Sequence, residues 1–398
     1  MRLSPIAAAA RASATLAMNA RARALRAKGG DVVLFTVGEP DFDTPENIRQ
    51  AAHRAIQAGF TRYTAAAGMP ELRAAIADKF RTDNGLDYAP EQVLVSSGGK
   101  HALYQIMLSL VGPGDEVLLA APYWVSYADQ AEICGATPVA IDTTDTDDLK
   151  LTPERLREAI TPRSRLLVLN YPNNPTGVMP TAGEIRALVD VALEHDLWII
   201  SDEIYEHLIY DGRTPVSPAG FSPEAMARVV TVNGVSKTYA MTGWRIGYAA
   251  GSAEVIRAAA MLQSNITSGP CSIAQKAALE ALTGPQESVE EMRQAFDERR
   301  RAVVRALAEV PGVKCPTPQG AFYVLPDCRG LMDATYGGRR VENSMDLAEA
   351  LLEQVGVAVI PGAPFGAAGY LRFSYATSMA DIEAGMERFA AFVATREE

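Results

Sequence analysis

Positive charge, cysteine, histidine and long apolar runs are all scarce in this sequence. Lys and Arg number 37 against 48 Asp and Glu, a formal net charge of -11. Nonspecific nucleic-acid binding needs a basic field to neutralise phosphates, so no nucleic-acid partner is expected. A local basic pocket for a small anion is still allowed. The four cysteines, Cys134, Cys271, Cys315 and Cys328, are far apart and form no C-x-x-C pair. That spacing indicates neither a disulfide framework nor a zinc site, and it fits reduced thiols in a cytoplasmic protein. No stretch is long and apolar enough to span a bilayer, so no membrane partner is expected. Low-complexity linkers and internal repeats are absent.

The first 28 residues are rich in Ala and Arg and contain no acid before Asp31. An organelle transit peptide has such a composition, but an amphipathic N-terminal helix of the folded protein is the expectation here. The short run Ala7 to Ala10 is too brief for the apolar core of a secretory signal.

A chain of 398 residues with 48% apolar and 21% charged residues reads as an ordinary globular protein of about two domains. Its middle alternates strand-like and helix-like segments. Strands are expected at Gln92 to Ser96, Glu116 to Ala121, Arg165 to Asn170, Trp198 to Ser201 and Val229 to Val232. Helices are expected from near Lys100, over Val125 to Cys134 and over Ala182 to Glu194, the last with Ile185, Leu188, Val189 and Ala192 on one face. Such alternation predicts an α/β fold with a mainly parallel sheet and helices on both faces. Thr44-Pro45-Glu46 and Thr152-Pro153-Glu154 look like capped helix starts, and Gly85 should end the helix that begins near Pro70. Beyond Gly284 a long charged helix to about Glu309 precedes short strands at Ala321 to Leu325, Val357 to Ile360 and Leu371 to Tyr375. A last helix follows Ser378, with Asp381 completing its start. This tail predicts a smaller α+β domain. The division expected is a large domain over 41–289, with 1–40 and 290–398 forming the small one.

The chemistry concentrates at strand ends. Ser236-Lys237-Thr238-Tyr239-Ala240-Met241-Thr242-Gly243-Trp244-Arg245 follows an apolar strand directly. In open α/β sheets, ligands bind outside the carboxyl ends of the strands. A lysine desolvated there can form an imine with an aldehyde, and an arginine eight residues on can grip a phosphate. Asp202 closes the Trp198 run, with Tyr205 three residues later. A carboxylate so placed can pair with a protonated pyridine nitrogen and keep the ring an electron sink. Asn174 lies in Pro172-Asn173-Asn174-Pro175-Thr176-Gly177, just past another strand, where a plain turn is the simpler reading. Ser97-Gly98-Gly99-Lys100 is not a nucleotide P-loop, because the earlier glycine position holds Leu94 and His101 follows the lysine.

Together with Gly38-Glu39-Pro40-Asp41-Phe42-Asp43-Thr44-Pro45, these strings resemble the class I/II aminotransferases of pyridoxal-5′-phosphate (PLP) fold type I, in the bacterial aspartate aminotransferase branch. The likeness runs from about Ser13 to about Phe389. It implies a mainly parallel seven-stranded sheet and ping-pong transfer of an amino group between an acidic amino acid and a 2-oxo acid. By the same resemblance Lys237 is the Schiff-base lysine and proton shuttle, and Asp202 pairs with the pyridine nitrogen. Asn174 and Tyr205 would hydrogen-bond the ring oxygen, and Trp124 would stack on the ring. Gly98, Gly99, Ser236 and Arg245 would cradle the phosphate, joined by Tyr63 from the other subunit of a homodimer. Arg372 would clamp the substrate α-carboxylate with Gly38 beside it.

The departures narrow the substrate. Animal-type relatives bind the distal carboxylate with a partner-subunit arginine, and that position here is Ser264. Lys100 and Thr15 match the lysine and threonine that the bacterial branch uses instead, a pair also found in relatives that transaminate prephenate. Gly234 stands where relatives carry a phosphate-binding serine. Two alternatives stay open: another PLP enzyme of this fold, such as a β-lyase or an aminotransferase for aromatic or neutral amino acids, and a PLP-binding transcription regulator. The regulator would need a basic helix-turn-helix domain, and the net charge is acidic.

Overall fold

Strand-length apolar runs in the middle of the chain assemble into one sheet. The structure is a computed structural model that describes residues 14–146 and 148–397 together with Ser4, Ile6 and Ala7; of residues 14–16 it describes the backbone only. After a first short strand, β1 (Val33–Leu34), come β2 (Val93–Ser96), β3 (Glu116–Ala121), β4 (Thr137–Asp142), β5 (Ser164–Asn170), β6 (Trp198–Asp202), β7 (Val229–Gly234) and β8 (Gly247–Ala250). The last seven form a sheet in the order β2-β8-β7-β6-β5-β3-β4. All neighbours are parallel except β8, which runs against both β2 and β7. The expected α/β architecture is therefore the observed one.

Both faces of this sheet are covered. Along β5, Leu167 and Leu169 pack into one apolar cluster while Leu166 and Val168 pack into another on the opposite side. A strand buried on both faces must be apolar without alternation, which is why β5 and β6 read as continuous runs. The helix Ala182–Glu194 inserts Ile185, Leu188, Val189 and Ala192 into the first cluster, the face its sequence pattern marked.

The third apolar cluster joins Met18 and Phe35 from the N-terminal part to Phe296, Phe322, Phe373 and Phe389, with Tyr205 and Leu208 from the middle of the chain. There β1 pairs in parallel with the strand Val357–Ala358, and a three-stranded antiparallel sheet contains Tyr323–Val324, Ile360–Pro361 and Leu371–Ser374. The expected strand Val357 to Ile360 is two short strands that belong to different sheets. The strands at 137–142 and 247–250 were not foreseen. The first has half-exposed residues and little apolar pattern, and the second is a small-residue run, Gly-Tyr-Ala-Ala, whose sheet pairing only tertiary contact reveals.

Helix punctuation follows the sequence at most points. Gly85 takes a left-handed φ of 67° after the helix Pro70–Asn84, and Thr152 Oγ1 accepts the N–H of Arg155. Ser378 caps the helix Met379–Ala394 by accepting from Asp381 N–H, while the Asp381 carboxylate turns to Thr377 instead of closing a box. Thr44 is a correction. It makes no cap, because its hydroxyl donates to Ala240 O (2.7 Å) and accepts from Trp244 Nε1 (2.9 Å). That hydroxyl ties the N-terminal segment to the loop that follows Lys237.

Candidate active site

Four strand ends on one edge of the sheet deliver side chains to a common cavity of about 570 Å³. Asn170 ends β5, Asp202 ends β6, and Ser236 and Lys237 follow β7. Gly99 and Lys100 follow β2 at the start of the helix Gly99–Leu110. The opposite wall comes from Gly38, Glu39, Tyr323 and Arg372.

Lys237 Nζ donates to the carbonyl of Gly38 and sits 6.0 Å from the Tyr205 ring centre and 5.8 Å from that of Phe322. Burial pushes its amine down to about 8; the Arg372 and Arg245 charges add to that, while Glu39 and Asp202 oppose it. An amine of that acidity is partly neutral near pH 7 and free to act as a nucleophile or proton carrier. Asp202 is 4% exposed, and burial raises its carboxyl to about 6, against a lowering hydrogen bond from Tyr127. Tyr127 OH donates to Asp202 Oδ2 at 2.6 Å and the Ile204 N–H to Oδ1 at 3.3 Å, so the carboxylate is fixed in orientation.

Arg372 is 2% exposed. Its Nη2 donates to Thr36 O and Nη1 to Asn174 Oδ1, both at 3.1 Å, and its guanidinium lies 4.6 Å from the Tyr323 ring centre. Nε has no partner among the described residues. A buried donor left unpaired in a cavity wall is suited to an anionic ligand. Tyr205 OH and Tyr323 OH share a 3.1 Å hydrogen bond.

The loop after β2 makes a cradle. Gly98 adopts φ 94°, and a Cβ there would collide with the Arg245 guanidinium. Gly247 on β8 leaves no room either, since its Cβ would strike the backbone of Gly98 and Gly99. First-turn N–H groups at Gly99 have no intrahelical acceptor and favour an anion. Arg245, itself at a left-handed φ of 57°, is anchored by Nη1 to Thr242 O (2.9 Å). Gly234 would bring a Cβ within 3.0 Å of Gly247 Cα, so no serine fits there without a shift.

Lys100 Nζ lies 4.8 Å from the Trp124 ring centre, and burial, with the Arg245 charge beside it, lowers its pKa from the ordinary lysine value. Tyr63 is 94% exposed and lies outside the cavity lining. The Thr15 side chain lies outside the described residues. The cavity also takes in residues the sequence did not mark: Tyr127, Asn170, Thr36, Glu39, Thr242 and Tyr323. Tyr127 had a usable signal, since it follows Trp124 by three residues and so shares its side of the helical turn. Tyr323 and Thr36 had none, because they meet Arg372 only through sheet pairing and packing.

A buried amine of lowered basicity, a carboxylate fixed in orientation and two arginines thus line one cavity at the strand ends of an α/β sheet. The chain belongs to the aminotransferase class I and II family, whose model matches residues 30–389, and it is an aminotransferase. It is 50% identical to the aspartate/prephenate aminotransferase of Cereibacter sphaeroides over 96% of both chains. It is 47% identical to the aspartate aminotransferase of Geobacillus stearothermophilus over the whole of both. Among solved structures, the aspartate aminotransferase of Rhizobium meliloti superposes with a TM-score of 0.96, at 43% identity over all of both chains. That of Thermus thermophilus, solved with maleate, gives 0.92 at 46% identity, covering 98% of this chain and 100% of that one. Among the described residues no helix is long and apolar enough to cross a membrane, and all four cysteines are free.

Proposed function

We propose that this aminotransferase is PLP-dependent and moves an amino group between aspartate or glutamate and a 2-oxo acid, 2-oxoglutarate or oxaloacetate, with prephenate as a further acceptor. The observation that carries the reading is that the Lys237 amine and the Asp202 carboxyl line one cavity that also holds Arg372. The residues fit the cofactor. The unpaired Arg372 Nε, the side-chain-free cradle at Gly98 and the excess of cations over carboxylates in the cavity wall all call for anions.

PLP when bound supplies an aldehyde carbon for the lysine amine and an aromatic ring that withdraws electrons from the reacting carbon. The chain supplies the rest. Lys237 Nζ would take the proton from the substrate α-carbon and return it to the carbon that PLP contributes, a task for which an amine titrating near 8 is well matched. Asp202, braced by Tyr127, would face the ring nitrogen of PLP and favour its protonated form. Gly98, Gly99, Ser236 and Arg245 would hold the phosphate, Trp124 would lie over the ring, and Asn174 and Tyr205 would hydrogen-bond the ring oxygen. Arg372 takes the α-carboxylate beside Gly38, and Lys100 with Thr15 takes the distal one. The names of the relatives support acidic substrates, and the maleate held by the Thermus thermophilus enzyme is a dicarboxylate.

The same reading divides the chain into a large cofactor domain over 41–289 and a small domain made of 1–40 and 290–398. It makes the active unit a cytoplasmic homodimer in which Tyr63 completes the partner's phosphate site. A half-reaction screen tests the substrate class. Holoenzyme is mixed with single amino acids and the cofactor absorbance is followed. Fast change with aspartate and glutamate, and slow change with alanine and phenylalanine, is expected; the reverse order overturns the acidic reading.

A further inference from the structure

The N-terminal helix Ala14–Ala27 contributes two side chains to the wall of the active-site cavity, Asn19 and, one turn later, Arg23. The three arginines of this helix differ in what they do. Arg21 is paired with Glu349 and Glu353, and Arg26 Nε donates to Val32 O at 2.7 Å. Arg23 has no hydrogen-bond or ion-pair partner among the described residues, although it faces a cavity that contains carboxylates. Glu39, one of those carboxylates, is occupied by the hydroxyl of Thr242 at 2.8 Å, and Asp202 by Tyr127.

The cavity lining holds five cations, Arg23, Lys100, Lys237, Arg245 and Arg372, against two carboxylates, Glu39 and Asp202. Like charges around one cavity repel, and the cost is recovered when anions enter. On the reading proposed above, Arg245 serves a phosphate, Arg372 the α-carboxylate and Lys100 a distal carboxylate. Arg23 is then left over. Its helix is fixed relative to the α-carboxylate site: Asn19 Oδ1 accepts from Thr36 Oγ1 at 3.2 Å, and the carbonyl of the same Thr36 holds Arg372 Nη2. Arg23 thus stands at a set position from the group that anchors every amino-acid substrate, on a different helix from Lys100.

We infer that Arg23 is a specificity-determining residue for dicarboxylic substrates longer than aspartate, whose distal carboxylate extends beyond Lys100 toward the N-terminal helix. This inference rests on the acidic-substrate reading and deepens it. A long arginine fork that is not committed elsewhere can close on such a carboxylate through paired N–H donors. Because Arg23 is exposed, water and salt discount the gain, and a preference of about two- to fivefold is the expected order, the yield of an exposed ion pair.

Matched substrate pairs isolate the distal carboxylate. Aspartate is compared with 2-aminobutyrate, and 2-aminoadipate with norleucine, each pair sharing a chain length. With holoenzyme, kcat/KM is measured for all four in wild type, Arg23→Gln, Arg23→Lys and Lys100→Ala. In Arg23→Gln the 2-aminoadipate to norleucine ratio should fall about two- to fivefold, the aspartate to 2-aminobutyrate ratio should fall less, and Arg23→Lys should restore most of the loss. Lys100→Ala should show the opposite bias. The Arg23→Gln effect should shrink in high salt. A six-carbon ratio unchanged in Arg23→Gln, or an equal fall in both ratios, overturns this inference while leaving acidic specificity intact. A wild-type enzyme with no preference for the acid in either pair overturns the acidic reading and this inference with it. Arg23→Lys keeps the argument falsifiable if Arg23→Gln folds poorly, since a lysine that lowers the six-carbon ratio as much as complete loss of charge would also count against it.

Discussion

The Lys237 amine gains its reactivity from where it is held. At a surface it would titrate near 10.5; desolvation among Tyr205, Phe322 and the Gly38 carbonyl brings it to about 8. Lys237→Ala should abolish transamination, and borohydride treatment of wild type with PLP followed by peptide mapping should label Lys237; label on another lysine refutes the assignment. In the PLP-free protein, the rate of covalent PLP uptake should rise with pH and level off above about 8, because the neutral amine is the reactive form. A rise continuing toward 10.5 would mean that burial has not shifted the amine. Lys100 lies over Trp124 and is only partly shielded. Its charge-assisted bond to a distal carboxylate is therefore worth roughly 1–2 kcal/mol. Lys100→Ala should then cut kcat/KM for aspartate about five- to thirtyfold relative to alanine, and an unchanged ratio removes Lys100 from the substrate site.

At the scale of elements, the end of β6 separates two jobs on adjacent residues. Asp202 faces the cavity, while Glu203 faces a buried polar cluster on the other side. There it meets the hydroxyls of Ser201 (2.9 Å) and Ser217 (2.6 Å), and Glu206, which Lys79 neutralises. Burial, and then the Glu206 charge, raise the Glu203 carboxyl to about 8. The folded state holds a proton there that the unfolded chain releases near 4.5, so stability falls as pH rises from about 4.5 to 8. Denaturant titrations across that range should show the fall, and Glu203→Gln should flatten it; an unaltered slope in the variant assigns the pH dependence elsewhere. The junction of β2 with the helix Gly99–Leu110 carries another test. Gly98→Ala forces a side chain into φ 94° and against Arg245. Such strain costs about 1–3 kcal/mol and displaces an anion-holding group. PLP affinity should drop about tenfold or more in an absorbance titration, while unfolding of the apoprotein changes modestly. Undiminished affinity would show that the cradle at Gly98 does not hold the phosphate.

At the scale of the molecule, Tyr63 is the most exposed of the large hydrophobic side chains among the described residues, at 94%. A single exposed ring needs no explanation by itself, but on the homodimer reading proposed above the partner subunit covers it. Tyr63→Ala chains, weakened at limiting PLP, are to be mixed with inactive Lys237→Ala chains. Each hybrid then contains one site with Lys237 from one chain and Tyr63 from the other. Recovery of up to about half the wild-type activity per dimer is expected from that single intact site. If hybrids form and no activity returns, Tyr63 acts within its own chain or not at all.

The sequence alone determined what depends on local pattern. Unbroken apolar runs marked β5 and β6 because a strand buried on both faces has no polar positions to spare, and the residues just past such strands, Asp202 and Lys237, are where ligands meet an α/β sheet. The helix Ala182–Glu194 was legible to the residue, since its stripe and its Thr181 start are both local. Tertiary structure decided what depends on partners distant in sequence. Thr44, which reads as a helix cap, bonds across to Ala240 and Trp244. Strand β8 joins the sheet through pairing, not through its own apolar pattern. The acidities of Lys237, Asp202 and Glu203 arise from desolvation, which no string of residues records. Arg23 reads as one more basic residue on a polar helix. It belongs to the cavity only because the helix Ala14–Ala27 is held against the segment that carries Thr36, which in turn bonds Arg372, and a cation acquires a role from the space it faces.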